Sequence, residues 1–350
     1  MKQVFVTGGS GFVGRNLIAA LRGRDIPKGS SGGRGEPTQI RALARSETAA
    51  TAVKDAGAEA VRGDLYDSDV LRAGLKGCDV VFHAAAKVDE WGDPADFDRI
   101  NVQGTQRLLD AARAEGVRRV VHVSTEAVLA GNRTLRNADE SWPYPARPAG
   151  EYSRTKALAE QRVLAANGDG LETVIVRPRL VWGPGDTSLL PKIIEAVEKG
   201  QFMWIGGGRY LTSTCHVANV AEGMILAAEK GRPGGIYFLT DGEPIEMRAF
   251  LTTLLEGRGV DPGSRSLPRG IALAIAAIGE AVWRATRLRG RPPLTRTAVK
   301  LFGEEVTVDD TLAHQDLGYR PLISREEGLR TLALSPRMPA TYSSERRSDA

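Results

Sequence analysis

Short apolar runs alternate with helical patterns over the first 180 residues. The runs are "QVFVT" at 3–7, "IRALA" at 40–44, "DVVFHA" at 79–84, "RVVHVS" at 119–124 and "TVIVR" at 173–177. Nearly continuous β-branched stretches of this length fit strands buried on both faces. Helical stretches lie between them at 12–22, 67–75, 94–115 and 152–167, and Gly116 and Gly168 end two of these where a left-handed C-cap is wanted. The pattern predicts an α/β protein with a doubly wound parallel sheet. After residue 183 it loosens into a smaller C-terminal substrate lobe. The predicted boundaries are 1–182 for the first domain, with 217–240 returning to it as a helix and a strand, and 183–216 plus 241–335 for the lobe. The Gly/Ser-rich stretch 23–38 reads as a mobile surface loop, and 336–350 as a disordered tail.

Composition narrows the classes of function. The chain has 350 residues, 42% hydrophobic and 26% charged, with a formal net charge of +4. No basic patch is interleaved with aromatics, so no nucleic-acid partner is expected. Cys78 and Cys215 sit in apolar contexts without metal spacing and read as reduced core residues. Of the four histidines none is paired at ligand spacing, so no metal is expected, and His122 reads as buried and satisfied. The N-terminus enters a strand directly, without a signal-peptide pattern, and no run reaches the ~18 apolar residues of a membrane span. The setting predicted is the cytoplasm.

"VFVTGGSGFVG" joins the first strand to the first helix, with Gly8, Gly11 and Gly14 spaced as GxxGxxG. In that position the glycines allow a tight turn, close approach of a pyrophosphate and close helix–strand packing, which predicts a Rossmann-type dinucleotide site. The second strand ends in "ALARSE", which offers Arg45 where a ribose-binding carboxylate would stand. An arginine there can fork onto a 2′-phosphate, so NADP(H) is expected in preference to NAD(H). "GDL" at 63–65 follows a third strand, and Asp64 is positioned to accept from an adenine amino group.

Tyr152 and Lys156 stand four apart on one helix face. A phenol beside an ammonium is expected to have a lowered pKa and to serve as a general acid/base. Ser124 and Thr125 end the preceding strand with hydroxyls, and Asn101 on the preceding helix can bond toward the lysine side through a water.

The ordered set "TGGSGFVG", "GDL", "HAAA", "NVQGT", "VSTEAV", "YSRTK" and "RPRLVWGPGD" resembles the extended short-chain dehydrogenases/reductases over roughly residues 1–335. "VFHAAAKVDEWG", "DESWPYP" and the tail after "GEPIEM" are most similar to the 3β-hydroxysteroid dehydrogenase branch, which includes sterol-4-carboxylate 3-dehydrogenases and 2-alkyl-3-oxoalkanoate reductases. The resemblance implies a Thr125–Tyr152–Lys156 triad with Ser124 and Asn101 in support, and hydride transfer between a nicotinamide and a secondary alcohol or ketone. It implies cofactor contacts from Phe12, Val13, Leu65, Ala84, Ala85, Ala86, Lys156, Pro178 and Val181. Substrate contacts are expected from Lys87, Trp91, Glu126 and Arg179. Sugar-nucleotide dehydratases of this scaffold carry Thr-Asp-Glu where this chain has Thr125, Glu126 and Ala127, and Ala127 has no second carboxyl group to offer. A nucleotide-sugar epimerase or reductase and a redox-inert dinucleotide sensor are the alternatives.

The helical stretch 268–291 is apolar on nearly all faces from Ile271 to Ile278 and is followed by Trp283 and four arginines. It reads as a packing helix, as the roof of an oily pocket for a large apolar small-molecule substrate, or as a peripheral membrane contact. Assembly as a homodimer stays open.

Overall fold

A computed structural model describes residues 1–24, 38–286, 288 and 290–334. Most of the 23–38 insertion and the whole of the 336–350 tail lie outside the described residues. Strand β1 (Gln3–Thr7) leads through helix α1 (Phe12–Arg24) to β2 (Gln39–Ala44). Helix α2 (Glu47–Asp55), β3 (Glu59–Arg62), α3 (Ser68–Leu75) and β4 (Val80–His83) follow. The chain then forms a helical stretch over Pro94–Phe97, a π-helical turn over Asp98–Gln103 and α4 (Gly104–Ala114). Strand β5 (Arg119–Val123), α5 (Glu151–Ala165), β6 (Glu172–Pro178), α6 (Val217–Lys230) and β7 (Ile236–Leu239) complete the layer. The seven strands are parallel in the order β3-β2-β1-β4-β5-β6-β7.

The apolar runs explain the layering. Along each strand alternate side chains enter opposite faces. Val4, Val6, Phe82, Val121 and Val176 pack with Leu17, Ile18, Val220 and Met224 of α1 and α6. Phe5, Val81, Val120 and Ile175 pack with Leu71, Leu108 and Val163 of α3, α4 and α5. Each such side chain contributes roughly 1.5–3 kcal/mol of burial, so neither face can be left wet.

Helix α2 is absent from the expected elements. Its sequence "ETAATAVKD" buries only Ala50 and Val53 and starts on Ser46, whose side chain accepts from the Ala49 N–H. The helix was therefore signalled by its cap more than by its periodicity.

The lobe is not a simple C-terminal block. Its four-stranded sheet runs Ile245–Glu246, Leu211–Thr212, Val306–Val308, Leu135–Ala138, and the last strand comes from inside the first 182 residues. Trp182, Leu190, Trp204, Phe250 and Leu254 form its main core. Helix α7 (Arg269–Thr286) packs Ala272 and Ala276 against Val299 of the helix Arg296–Phe302.

Candidate active site

In an open parallel sheet the crevice forms at the carboxyl ends of the strands where the order reverses, here between β1 and β4. Gly8 leaves β1 with φ 72°, in the left-handed region, and an added Cβ would stand 2.7 Å from the Ala85 N. The Ala84–Ala85 backbone thus crosses directly over Gly8. At Gly14 a Cβ would fall 2.2 Å from the Gly8 O, so the first helical turn can press on the loop only without a side chain. Gly11 is exposed at the helix start, Phe12 is buried and Val13 half-buried. This cradle of bare backbone fits a dinucleotide pyrophosphate.

Arg45 is exposed just past β2 and, with Gly63, Asp64, Tyr66 and Asp67, lines a cavity of about 570 Å³. Asp64 accepts from the Tyr66 N–H at 2.6 Å, and Leu65 is buried against α3 and α4. The carboxyl end of β6 carries Pro178, and Val181 begins a two-residue pairing with Cys215–His216. Between them Leu180 has φ 44°, a conformation costing a leucine roughly 1–2 kcal/mol.

Beyond β5, Thr125 and Ser124 are buried, and Tyr152 rises half-buried from the first turn of α5. Tyr152 packs with Ala127, Ala130, Ala149, Leu301 and Phe302. Its phenol is pushed well above the ordinary tyrosine value, first by burial and then by the Glu126 carboxylate, while a hydrogen bond with Thr125 opposes both. The expected lowering by Lys156 is not what acts on it here. The Lys156 Nζ donates to the Val123 O at 2.7 Å and meets the His122 Nε2 at 3.1 Å. Burial pulls Lys156 down to about 8, against the Glu160 carboxylate.

His122 corrects a second expectation. It is buried but unsatisfied, since its Nδ1 has no partner among the described residues, and the Ser124 Oγ shares that condition. His122 lies opposite His83 in the β4–β5 register, with ring centroids 5.0 Å apart. His83 bridges Thr7 at 2.7 Å and Thr105 at 2.8 Å, and Thr105 donates to the Asn101 O. Because the Thr105 proton is committed, its oxygen accepts from the His83 Nε2–H, and Nδ1 accepts from Thr7. Burial holds His83 neutral, down to about 3. No two-position motif encodes this link; only strand pairing brings the two imidazoles together.

Asn101 sits on the π-helical turn, and its side chain is committed. Its Oδ1 accepts from the Lys87 N–H at 2.7 Å, and its Nδ2 donates to the Lys87 O and the Thr155 Oγ1. It therefore pins the segment after Ala86. From there the Lys87 Nζ lies over the Phe97 ring, and Trp91 lies under the Arg284 guanidinium at 5.1 Å.

Glu126 and Arg179, expected to face substrate, instead form a buried ion pair at 2.6 Å. Arg179 also donates to the Leu301 O and to Thr212, and Glu126 accepts from Thr125. Their charges are spent on each other and on the wall behind Tyr152. Among the described residues no group of three or more His, Cys, Asp or Glu could hold a metal ion.

A glycine cradle at the switch point, with a hydroxyl, a phenol and an amine beyond β5, defines an oxidoreductase of the extended short-chain dehydrogenase/reductase class, which uses a nicotinamide dinucleotide. The model of the 3-beta hydroxysteroid dehydrogenase/isomerase family matches residues 5–269, and the chain belongs to that family. It is 50% identical to a 4-hydroxy-2-methyl-3-oxo-4-farnesyl-3,4-dihydroquinoline-1-oxide ketoreductase from Stigmatella aurantiaca, over 94% of this chain and 95% of that one. It is 37% identical to a 2-alkyl-3-oxoalkanoate reductase from Stenotrophomonas maltophilia, over 95% and 99%. The solved structure of the dTDP-glucose 4,6-dehydratase DesIV from Streptomyces venezuelae, with NAD bound, aligns over 95% of both chains at a TM-score of 0.72 and 25% identity.

Proposed function

We propose that the protein reduces a ketone on a large apolar molecule, using NADP(H) in preference to NAD(H). The observation that carries the substrate class is the setting of Tyr152. Its neighbours Ala127, Ala130, Leu301 and Phe302 are apolar, and the charges of Glu126 and Arg179 behind it are paired with each other. A hydrocarbon skeleton suits that wall, whereas a sugar nucleotide would find few free polar partners on it. The farnesyl and alkyl groups in the relatives' names support the same reading.

When bound, the reduced nicotinamide supplies the hydride. Tyr152 then gives its phenolic proton to the carbonyl oxygen, and a phenol held high by burial remains protonated for that step. Thr125, whose own proton is held by Glu126, is hydrogen-bonded to the phenol and fixes its position. Lys156, held on β5 by the Val123 O, presents its charge beside the site, and the Ala84–Ala86 backbone with Gly8 and Gly14 seats the dinucleotide. Arg45 on the rim of its cavity favours the 2′-phosphate.

Oxidation of NADPH and NADH with a 2-alkyl-3-oxo acid, a prenylated cyclic 3-ketone and UDP- and dTDP-sugars tests the reading. Turnover is expected with the apolar ketones and absent with the sugars, and activity confined to sugars would overturn it. Arg45→Asp should reverse the cofactor preference by removing a charge-assisted bond of roughly 1.5–3 kcal/mol and adding a repulsion. A wild type that binds NADH more tightly than NADPH would refute the cofactor assignment.

A further inference from the structure

The proposed reaction leaves His122 without a task, although the ring is buried to 1% exposure and touches Lys156. An ammonium can only donate. The His122 Nε2 that meets the Lys156 Nζ at 3.1 Å therefore accepts, and the imidazole proton is placed on Nδ1. His83 fixes the reverse arrangement across the register, because its Nδ1 accepts from Thr7 and its Nε2–H is given to Thr105. The two rings, with centroids 5.0 Å apart, thus carry opposite tautomers. Burial first, and then the charge of Lys156, holds both below the ordinary histidine value, so both stay neutral.

Lys156 is consequently held at two points. The Val123 O and the His122 Nε2 take two hydrogens of the ammonium, and one is left to give. The Val123 carbonyl is backbone and survives any substitution there. The His122 ring is the half of the clamp that the sequence chooses. Its neutrality matters as much as its lone pair. A carboxylate in its place would hold the ammonium more tightly but would cancel its charge. A neutral acceptor fixes the nitrogen and leaves the charge to act on the crevice.

The other groups around Lys156 do not replace this acceptor. On α5, Tyr152 stands one turn before it and Glu160 one turn after. Glu160 supports the ammonium from a distance, but its oxygens are taken by Arg177 of β6 and by Tyr144. Asp98 of the π-helical turn is paired with Arg154, and Asn101 and Thr105 are uncharged. His83 of β4 has both ring nitrogens committed.

We propose that His122 is a positioning residue for the reaction, a neutral imidazole acceptor that holds the Lys156 ammonium in place and charged at the end of β5. Its effect on catalysis rests on the proposed reduction, in which Lys156 acts as a cation, while the clamp itself can be read without turnover.

Nuclear magnetic resonance of the full chain, isotope-labelled at the lysine Cε and without substrate, tests it. The Lys156 signal of the wild type should titrate at about 8. His122→Phe keeps a ring but removes the acceptor, and should lower that midpoint by about 1 pH unit or more, the worth of a hydrogen bond to a charged group. His122→Gln returns an acceptor and should hold the midpoint within about half a unit of the wild type. In ketone reduction the phenylalanine variant should be ~10-fold slower near pH 9, and the deficit should shrink toward pH 6, where the ammonium is charged in both proteins. Damage to the fold alone would lower the rate evenly across that range. The wild type gives a second reading if a variant fails to fold. Proton–nitrogen correlation over the four histidine rings should place the His122 proton on Nδ1 and the His83 proton on Nε2. An unmoved Lys156 midpoint in His122→Phe, a glutamine variant that shifts as far as the phenylalanine one, or a His122 proton on Nε2 would each overturn the proposal. A midpoint that moves as expected while the rate ignores it supports the clamp and removes instead the part given to Lys156 in the reduction.

Discussion

Tyr152 and Lys156 are displaced by burial in opposite senses. Burial and Glu126 keep the phenol protonated, and burial brings the ammonium down to about 8. For ketone reduction the two shifts have different consequences. A proton donor whose pKa is raised stays loaded as pH rises, so the phenol sets no limit near neutrality. Lys156 is charged below about 8 and loses its proton above it. The reduction rate should therefore hold steady below pH 8 and fall as pH rises through that value, and a pH–rate profile flat to about 10, the ordinary tyrosine value, would contradict it. Tyr152→Phe should cut kcat by ~10²–10⁴ while leaving nucleotide binding, measured by titration, nearly intact. The phenol, amine and hydroxyls were legible because helix spacing and a strand end put them together. The roles of His122, Glu126 and Arg179 were not. His122 meets Lys156 across 34 residues and Glu126 meets Arg179 across 53, and no local pattern encodes such partners.

Among the elements, the junction of β1 and α1 was the most readable, because its glycines answer a steric requirement visible in their spacing. Gly14→Ala puts a Cβ against the Gly8 carbonyl, and the loop must move to accept it. Overpacking of this kind costs roughly 1–3 kcal/mol, so the variant should bind NADP(H) about tenfold or more weakly by fluorescence titration, with a lowered melting temperature. Unchanged affinity would mean that the cradle is not the binding element. The stretch 94–115 reads in sequence as one helix and folds as three pieces, because the π-helical turn carrying Asn101 answers to Lys87 and Thr155, not to helical periodicity. Such turns recur at functional sites. The apolar run of α7 was visible, but which side faced inward depended on Glu280 finding Arg296.

At the scale of the whole molecule, the pair of Glu126 with Arg179 ties the end of β5 to the end of β6 and, through the Leu301 O, to the lobe. Removing one partner strands the other charge in a dry interior. Glu126→Ala should lower unfolding stability by about 3–5 kcal/mol in denaturant titration, whereas the exposed pair Arg62–Glu47 should yield less than about 1 kcal/mol when broken. Equal costs would mean that the buried pair is hydrated in solution. The parallel sheet was legible because both of its faces are buried, while the lobe's division was not, because its strands are two to four residues long.

The lobe's four-stranded sheet has a consequence for engineering. Its strands come from residues 135–138, 211–212, 245–246 and 306–308, so the chain visits it four times. No single cut separates the part that would select the ketone from the part that would hold the nucleotide. A chimaera that joins this chain's first half to a relative's second half would place a foreign Val306–Val308 strand beside the native Leu135–Ala138. Specificity in such a protein can be transplanted only as a set of matched segments, and a lineage that changes its substrate has to change them together.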